Sequence, residues 1–397
     1  MSKIYLPTSE LTSYDNYHRY GWKFVINNLY NLDIIAKQTN TYDPSTDSSL
    51  TLLLGYIDKE FHWNYTANKE ANIVPYTRNW IGFLHHPFDP TFSVYNSTAL
   101  FENQDFIDSL MYCKGIFVLS QSLANDTQLA LGQLSCIDEK YSNYINIPVN
   151  ALVHPTGDVD ASLMFNVQHF SNNPDQKLIQ IGSWLRDAYS IYKFPDISIL
   201  GLQKAVLIGP DMENIKKPIH FFNHIKELIS QIEPSTSVLD DEDDIEFENP
   251  VCRDVDDSLF SGNRYVKGVF DHLKKLDSQV VEIDLVSDAD YDDLLSKNII
   301  YIQLTDAVAV NTVIECIMRN TPILINPLPA IVEILGASYP FYYDQYNQTD
   351  ALQNIYNLFS LRKLQSVVNY MRNIDKSQFS IDSFTSTFSS SDIVSCL

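Results

Sequence analysis

At 397 residues, with 45% hydrophobic side chains, the chain is too long for one small domain and suits two domains of roughly 150 to 200 residues. Its 50 acidic and 27 basic residues give a net charge of −23, which excludes DNA, RNA and anionic membranes as natural partners, because phosphate contacts need a positive surface. Five scattered cysteines with no C-x-x-C pair suit a reducing compartment and provide neither a disulfide framework nor a zinc site.

MSKIYLPTSE carries no apolar leader core, and no run of 18 apolar residues follows, so the expectation is a cytoplasmic protein without a transmembrane segment. The sequons at Asn64, Asn96, Asn125 and Asn347 then read as chance in an Asn-rich chain. Residues 16–30 hold apolar positions at helical spacing, and Leu32 to Ala36 can start an extended segment. Leu50 to Gly55 and Trp80 to Leu84 read as buried strands, Phe106 to Met111 as a helix, and Gly115 to Leu119 as a strand. Ser120 is placed to cap a helix from Gln121, and Ile145 to His154 supplies a further strand. This alternation predicts a parallel sheet with helices on both faces.

His85-His86-Pro87 follows the strand at Trp80. A histidine there faces the crevice and can contact a phosphate or sugar hydroxyl or take a proton; the competing reading is a solvated or structural pair. Metal ligation is not expected of adjacent histidines that point apart, with no H-E-x-x-H or carboxylate–histidine spacing beside them.

The polar SNNPDQ stretch sets a boundary near residue 170, giving domains 1–170 and 171–370 and a tail, 371–397. Lys177 to Ile181 is a strand ending at Gly182, where backbone can approach a ligand, with Arg186 and Lys193 soon after. Surface charge on a loop is the alternative for these two. Strands follow at Ala205 to Gly209 and Val280 to Leu285, with helices at Phe221 to Ile232, Arg264 to Leu276 and Asp288 to Ser296. The acidic run from Leu239, within an insertion at about 236–262, lacks EF-hand spacing and reads as solvated. Helical patterns continue to about Ile374, and the Ser-rich end is expected to be poorly ordered.

The most informative stretch is 298–336. Ile299 to Leu304 is a buried strand, Thr305 to Asn311 breaks it, and Thr312 to Arg319 is an amphipathic helix stopped by Thr321-Pro322. A second strand, Ile323 to Ile325, leads into a helix ending at Gly336. A helix starting just past a strand end offers unpaired N–H groups to an anion. Glu315, one turn beyond Asn311 and Thr312, can reach a hydroxyl-bearing group beside that anion, and phosphate plus diol describes a nucleotide.

The two halves resemble the two Rossmann-like domains of GT-B glycosyltransferases, facing across a cleft. The second half resembles the retaining family that includes sucrose and glycogen synthases and bacterial mannosyltransferases. Gly182, Arg186 and Lys193 resemble the glycine loop and the two cations that neutralise the donor pyrophosphate, with the arginine further from the glycine than is usual. Asp290-Tyr291 to Leu295 resembles the short helix near the nucleobase. Glu315 matches the second of the family's two glutamates, which implies contact with the ribose. The first falls at Ala307, so either Asp306 substitutes or that contact with the sugar is lost. His85 or His86 resembles the histidine facing the transferred sugar. Composition resembles glycosyltransferases of large DNA viruses or AT-rich genomes, for which the compartment would be the host cytoplasm or virion.

The resemblance implies transfer of a hexose from a nucleotide-diphosphate sugar, UDP- or GDP-linked, to a hydroxyl acceptor without a metal or other cofactor. Arg186, Lys193 and the helix start at Asn311-Thr312 would stabilise the leaving diphosphate. A retaining reaction needs no protein base, whereas an inverting one would draw on His85, His86 or Asp89. Two other classes fit the layout: a sugar-nucleotide epimerase, and a non-catalytic nucleotide-binding or scaffold protein, which Ala307 favours. A Rossmann dehydrogenase is disfavoured because no G-x-G-x-x-G follows a predicted strand.

Overall fold

The computed structural model describes residues 3–14, 19–39, 43–182, 184–187, 190–207, 280–284, 286–358 and 361–397. The helices expected at Phe221 to Ile232 and Arg264 to Leu276, and the acidic insertion at 236–262, lie outside them.

Near-continuous apolar runs become strands buried on both faces, as parallel sheets covered by helices require. In the first sheet, β1 (Ile4–Tyr5), β2 (Thr51–Leu54), β3 (Trp80–Phe83), β4 (Cys113–Val118) and β5 (Val149–Ala151) lie in that order. Every pairing is parallel. Ile35 bridges Ile4, so the chain first steps outward from β1 and then returns past it to β2. The second sheet has the order β10-β9-β6-β7-β8, again all parallel, built from β6 (Lys177–Ile181), β7 (Gln203–Leu207), β8 (Val281–Ile283), β9 (Ile299–Ile302) and β10 (Ile323–Ile325). It is wound outward from β6 in one direction and, from β9, in the other. The reversal between β6 and β9 leaves a crevice at their C-terminal ends, where such sheets bind ligands.

Expected strands at Trp80, Lys177 and Ile323 form where the patterns place them, whereas in the stretch from Ile145 only Val149–Ala151 is extended. The first helix begins at Trp22, several residues later than its pattern suggests. Ser120 caps the helix Gln121–Ser135, its Oγ accepting from the Leu123 N–H at 3.2 Å. The helix Asn311–Arg319 buries Val313, Ile314, Cys316 and Ile317 and ends at Asn320, whose φ of 60° lies in the left-handed region.

The Ser-rich end departs from expectation. It forms the helices Ile381–Ser390 and Asp392–Ser395, and these return to the first domain. Phe384, Phe388, Ile393 and Val394 join that domain's core, with the Phe388 ring 4.9 Å from Phe117 and 5.9 Å from Phe83. Ile393 lies directly over Gly115 on β4, where a Cβ would meet it at 2.6 Å. Phe165 and Phe170, by contrast, pack into the second domain's core, so that core takes in residues just before the boundary expected near 170.

Candidate functional site

Gly182, at the end of β6, has φ +78°, and the Arg186 guanidinium lies over it so closely that a Cβ would meet Cζ at 2.6 Å. Arg186 Nη1 donates to the Trp184 carbonyl at 3.1 Å, and Nη2 donates to Thr312 Oγ1 at 3.3 Å. The glycine loop and the start of the helix Asn311–Arg319 are therefore one site. That helix has no side-chain cap and no acid in its first turn, which leaves its positive end open to an anion.

Glu315, one turn on and 7% exposed, accepts from Arg19 Nε at 3.3 Å and Nη2 at 3.2 Å, both on Oε1. Arg19 comes from the first domain. It also donates to both oxygens of Asp292, at 2.9 Å from Nη1 and 2.5 Å from Nη2, and Arg319 completes the network on Asp292. Burial pushes the Asp292 carboxyl up, but the two arginines prevail and hold it below its ordinary value. The Tyr291 ring sits 5.6 Å from the Arg19 guanidinium, and its hydroxyl lies near Thr312 and Glu315; burial, the largest cause, and then Glu315 raise its pKa. Arg186, Asn311, Thr312, Glu315 and Tyr291 thus share a corner. Lys193 stands apart from these contacts, its Nζ paired with Asp187 Oδ2 at 3.0 Å.

Across the cleft, the backbone N–H groups of His85 and His86 donate to Asp58 Oδ2 at 2.8 Å and Oδ1 at 3.2 Å. This buried carboxylate, from the helix Ile57–Phe61, fixes the turn that follows β3. The His85 ring lies between Trp22 at 4.3 Å and Tyr56 at 3.9 Å. Burial first, then His86 and His154, push its pKa well below 6.5, so it is a neutral imidazole at physiological pH. His86 is more deeply set and bonds through Nε2 to the Tyr56 hydroxyl at 3.0 Å. Its ring approaches Trp184 of the glycine loop at 5.1 Å, which joins the two walls.

Asp306 accepts from the Ala307 N–H at 2.7 Å, and its pKa is raised to about 6, by burial first and then by Asp89 and Asp126 of the opposite domain. Ala307 is itself buried at 8% exposure and offers no polar group. A second cross-domain contact lies further out: Glu333 accepts from the N–H groups of Gln121 at 2.7 Å and Ser122 at 2.6 Å, capping a helix of the first domain.

Arg19, Asp292, Glu333, Trp22, Tyr56 and Trp184 belong to no motif in the sequence, because long-range pairings, such as Tyr56 with His86 across 30 residues and Arg19 with Glu315 across 296, have no periodic signature. One reading needs correction. A carboxylate–histidine spacing does accompany the His85-His86 pair, since Asp58 and His62 stand four apart at the helix Ile57–Phe61 and face His86.

Two Rossmann-like domains, each built on a five-stranded parallel sheet, facing across a cleft define the GT-B fold. Solved structures agree. The chain is similar over 100% of both lengths to HepE from Anabaena in complex with UDP and glucose, at 11% identity and a TM-score of 0.55. The same protein with UDP-glucose gives 10% identity and a TM-score of 0.54 over 100% of both chains. A UDP-forming α,α-trehalose-phosphate synthase from Burkholderia xenovorans gives 9% identity and 0.52, covering 94% of this chain and 84% of that one. At such identities the likeness is one of fold. No protein-family model matches the chain, and no curated protein matches it significantly. Among the described residues, no helix is long and apolar enough to cross a membrane.

Proposed function

We propose that the chain is a glycosyltransferase that moves a sugar from a nucleotide-diphosphate sugar to a hydroxyl acceptor. The observation that carries this reading is the corner at the β6/β9 crevice, where Arg186 lies on Gly182 and reaches Thr312, with Glu315 one turn further along. The diphosphate would take the Arg186 guanidinium and the backbone N–H groups of Asn311 and Thr312; the ribose hydroxyls would donate to Glu315. Uracil is the first base to test, since HepE, similar over its whole length, was solved with UDP-glucose.

The reaction needs stabilisation of the departing diphosphate, which a fixed guanidinium and a helix start provide without reorganisation. His85, neutral and with both ring nitrogens unpartnered among the described residues, would bond to a hydroxyl of the transferred sugar. Asp306 supports a role on the acceptor side, because a pKa of about 6 lets it exchange a proton near neutrality. Lys193 would join the phosphate site only by leaving Asp187. The reading requires no divalent metal at the diphosphate and places the protein in the cytoplasm; the likenesses lend no support to a viral source.

A thermal-shift panel of nucleoside diphosphates tests it. At least one, UDP first, should raise Tm in line with RT ln(1 + [L]/Kd), and Arg186→Ala and Glu315→Ala should each remove most of the rise. No rise with any nucleotide would sink the transferase reading. A rise without sugar release from the matching donor would favour the non-catalytic binding protein.

A further inference from the structure

We propose that Asp58, His62 and His86 form a divalent-metal site of the borderline transition-metal class, zinc(II) first, in the wall of the first domain behind His85. One ligand atom from each residue lies within 4.8 Å of the others. His86 Nδ1 stands 3.7 Å from Asp58 Oδ1, too far for a hydrogen bond. It is close to the spacing of two ligands sharing a tetrahedral ion, which is about 3.3 to 3.5 Å for bonds of roughly 2.0 to 2.2 Å.

The unpartnered atoms point the same way. His86 is 3% exposed, and among the described residues its Nδ1 has no hydrogen-bond partner; the same holds for Nε2 of His62. The other nitrogen of His86, Nε2, meets the Tyr56 hydroxyl at 3.0 Å. Metal-bound histidines are held in this way, the second nitrogen donating to a neighbour so that the first presents its lone pair.

Charge gives an independent reason. Asp58 is fully buried and, among the described residues, its carboxylate accepts from the two N–H groups of His85 and His86, one on each oxygen, so each keeps a lone pair for an ion. Among the described residues no lysine or arginine pairs with it; the His85 and His86 rings stand near, at 3.8 and 3.7 Å. A buried carboxylate without a cation is costly, and an ion liganded by two imidazoles removes that cost. Three protein ligands leave a fourth position for water or a hydroxyl. The ion would tie the helix Ile57–Phe61 to the turn after β3 and hold His85 in place.

The exposed thiols of Cys136 and Cys396 are changed to serine in the full chain to remove competing ligands. The protein is stripped with a chelator and titrated with cobalt(II), then with zinc(II), following the cobalt d–d bands and the bound stoichiometry. One equivalent of each should bind, with zinc displacing cobalt. His62→Gln should weaken binding on the order of 100-fold and Tyr56→Phe on the order of tenfold. His169→Gln, an exposed histidine elsewhere, should bind as the parent does. Substoichiometric binding by the parent, or unchanged affinity in His62→Gln, overturns the proposal. Tyr56→Phe keeps the ring that packs on His85, so it separates a ligand site from a packing role even if His62→Gln folds poorly. The readout is metal occupancy, so the result stands apart from whether the chain transfers sugar.

Discussion

Gly182 and Arg186 compete for the same few ångströms, and two glycine substitutions can separate backbone strain from ligand chemistry. Gly182→Ala faces a positive φ and the guanidinium together, whereas Gly201→Ala faces only a positive φ of 73° with open space beyond. Both should lose about 1 to 2 kcal/mol in a denaturant titration, but only the first should lose the nucleotide-induced Tm rise. Equal loss in the two would detach Gly182 from the binding corner. Asp306 makes a pH prediction. Its folded pKa of about 6 lies above the unfolded value, so the folded state binds more protons between about pH 4 and 6, and stability falls as pH rises through that window. Asp306→Asn should match the parent below about pH 4 and exceed it above pH 6 by about 1 to 2 kcal/mol, allowing for partial solvent screening. At this scale Gly182, Arg186, Thr312 and Glu315 were legible because strand–glycine and strand–helix junctions mark themselves in sequence. Arg19 was not, since nothing near it in the chain indicates which carboxylates it meets.

Secondary elements were readable where burial is two-sided. The runs KLIQI and ILI are apolar, as sheets covered on both faces require, apart from the half-buried Lys177 at the strand's start and the buried Gln180 amide, whose oxygen accepts from Ser190 Oγ and the Ile191 N–H. Several short elements escaped, the helix Ile57–Phe61 among them, and two show why. β1 is two residues long, too short for any alternation to register. The helix Ile381–Ser390 is mostly serine and threonine, poor helix formers, and only Phe384 and Phe388 mark its buried face. Tertiary burial stabilises it, as is usual for helices too short to stand alone. Phe388→Ala should therefore cost about 3 to 5 kcal/mol, as large as a central core truncation. Loss below about 1 kcal/mol by denaturant titration would mean that the helix is a surface appendage.

For the whole molecule, Arg19 joins the first domain to Asp292 and Glu315 of the second, while Glu333 of the second domain caps the helix Gln121–Ser135 of the first. Arg19→Gln leaves Asp292 to Arg319 alone and should lower stability by about 2 to 3 kcal/mol while raising the radius of gyration in small-angle scattering. An unchanged radius would show that packing, not this ion pair, sets the closed arrangement. The return of the chain to its first domain has a further consequence, in time. The core around Phe83 and Phe117 is completed by Phe384, Phe388 and Ile393, which are synthesised only after the entire second domain. On the ribosome the first sheet must wait with an apolar face uncovered while some 200 further residues emerge, at about 5 to 20 residues per second. The vulnerable period for this protein is therefore its own translation, and a message cut short after Ser380 would yield a chain that keeps Phe379 in the second core but whose first domain cannot close.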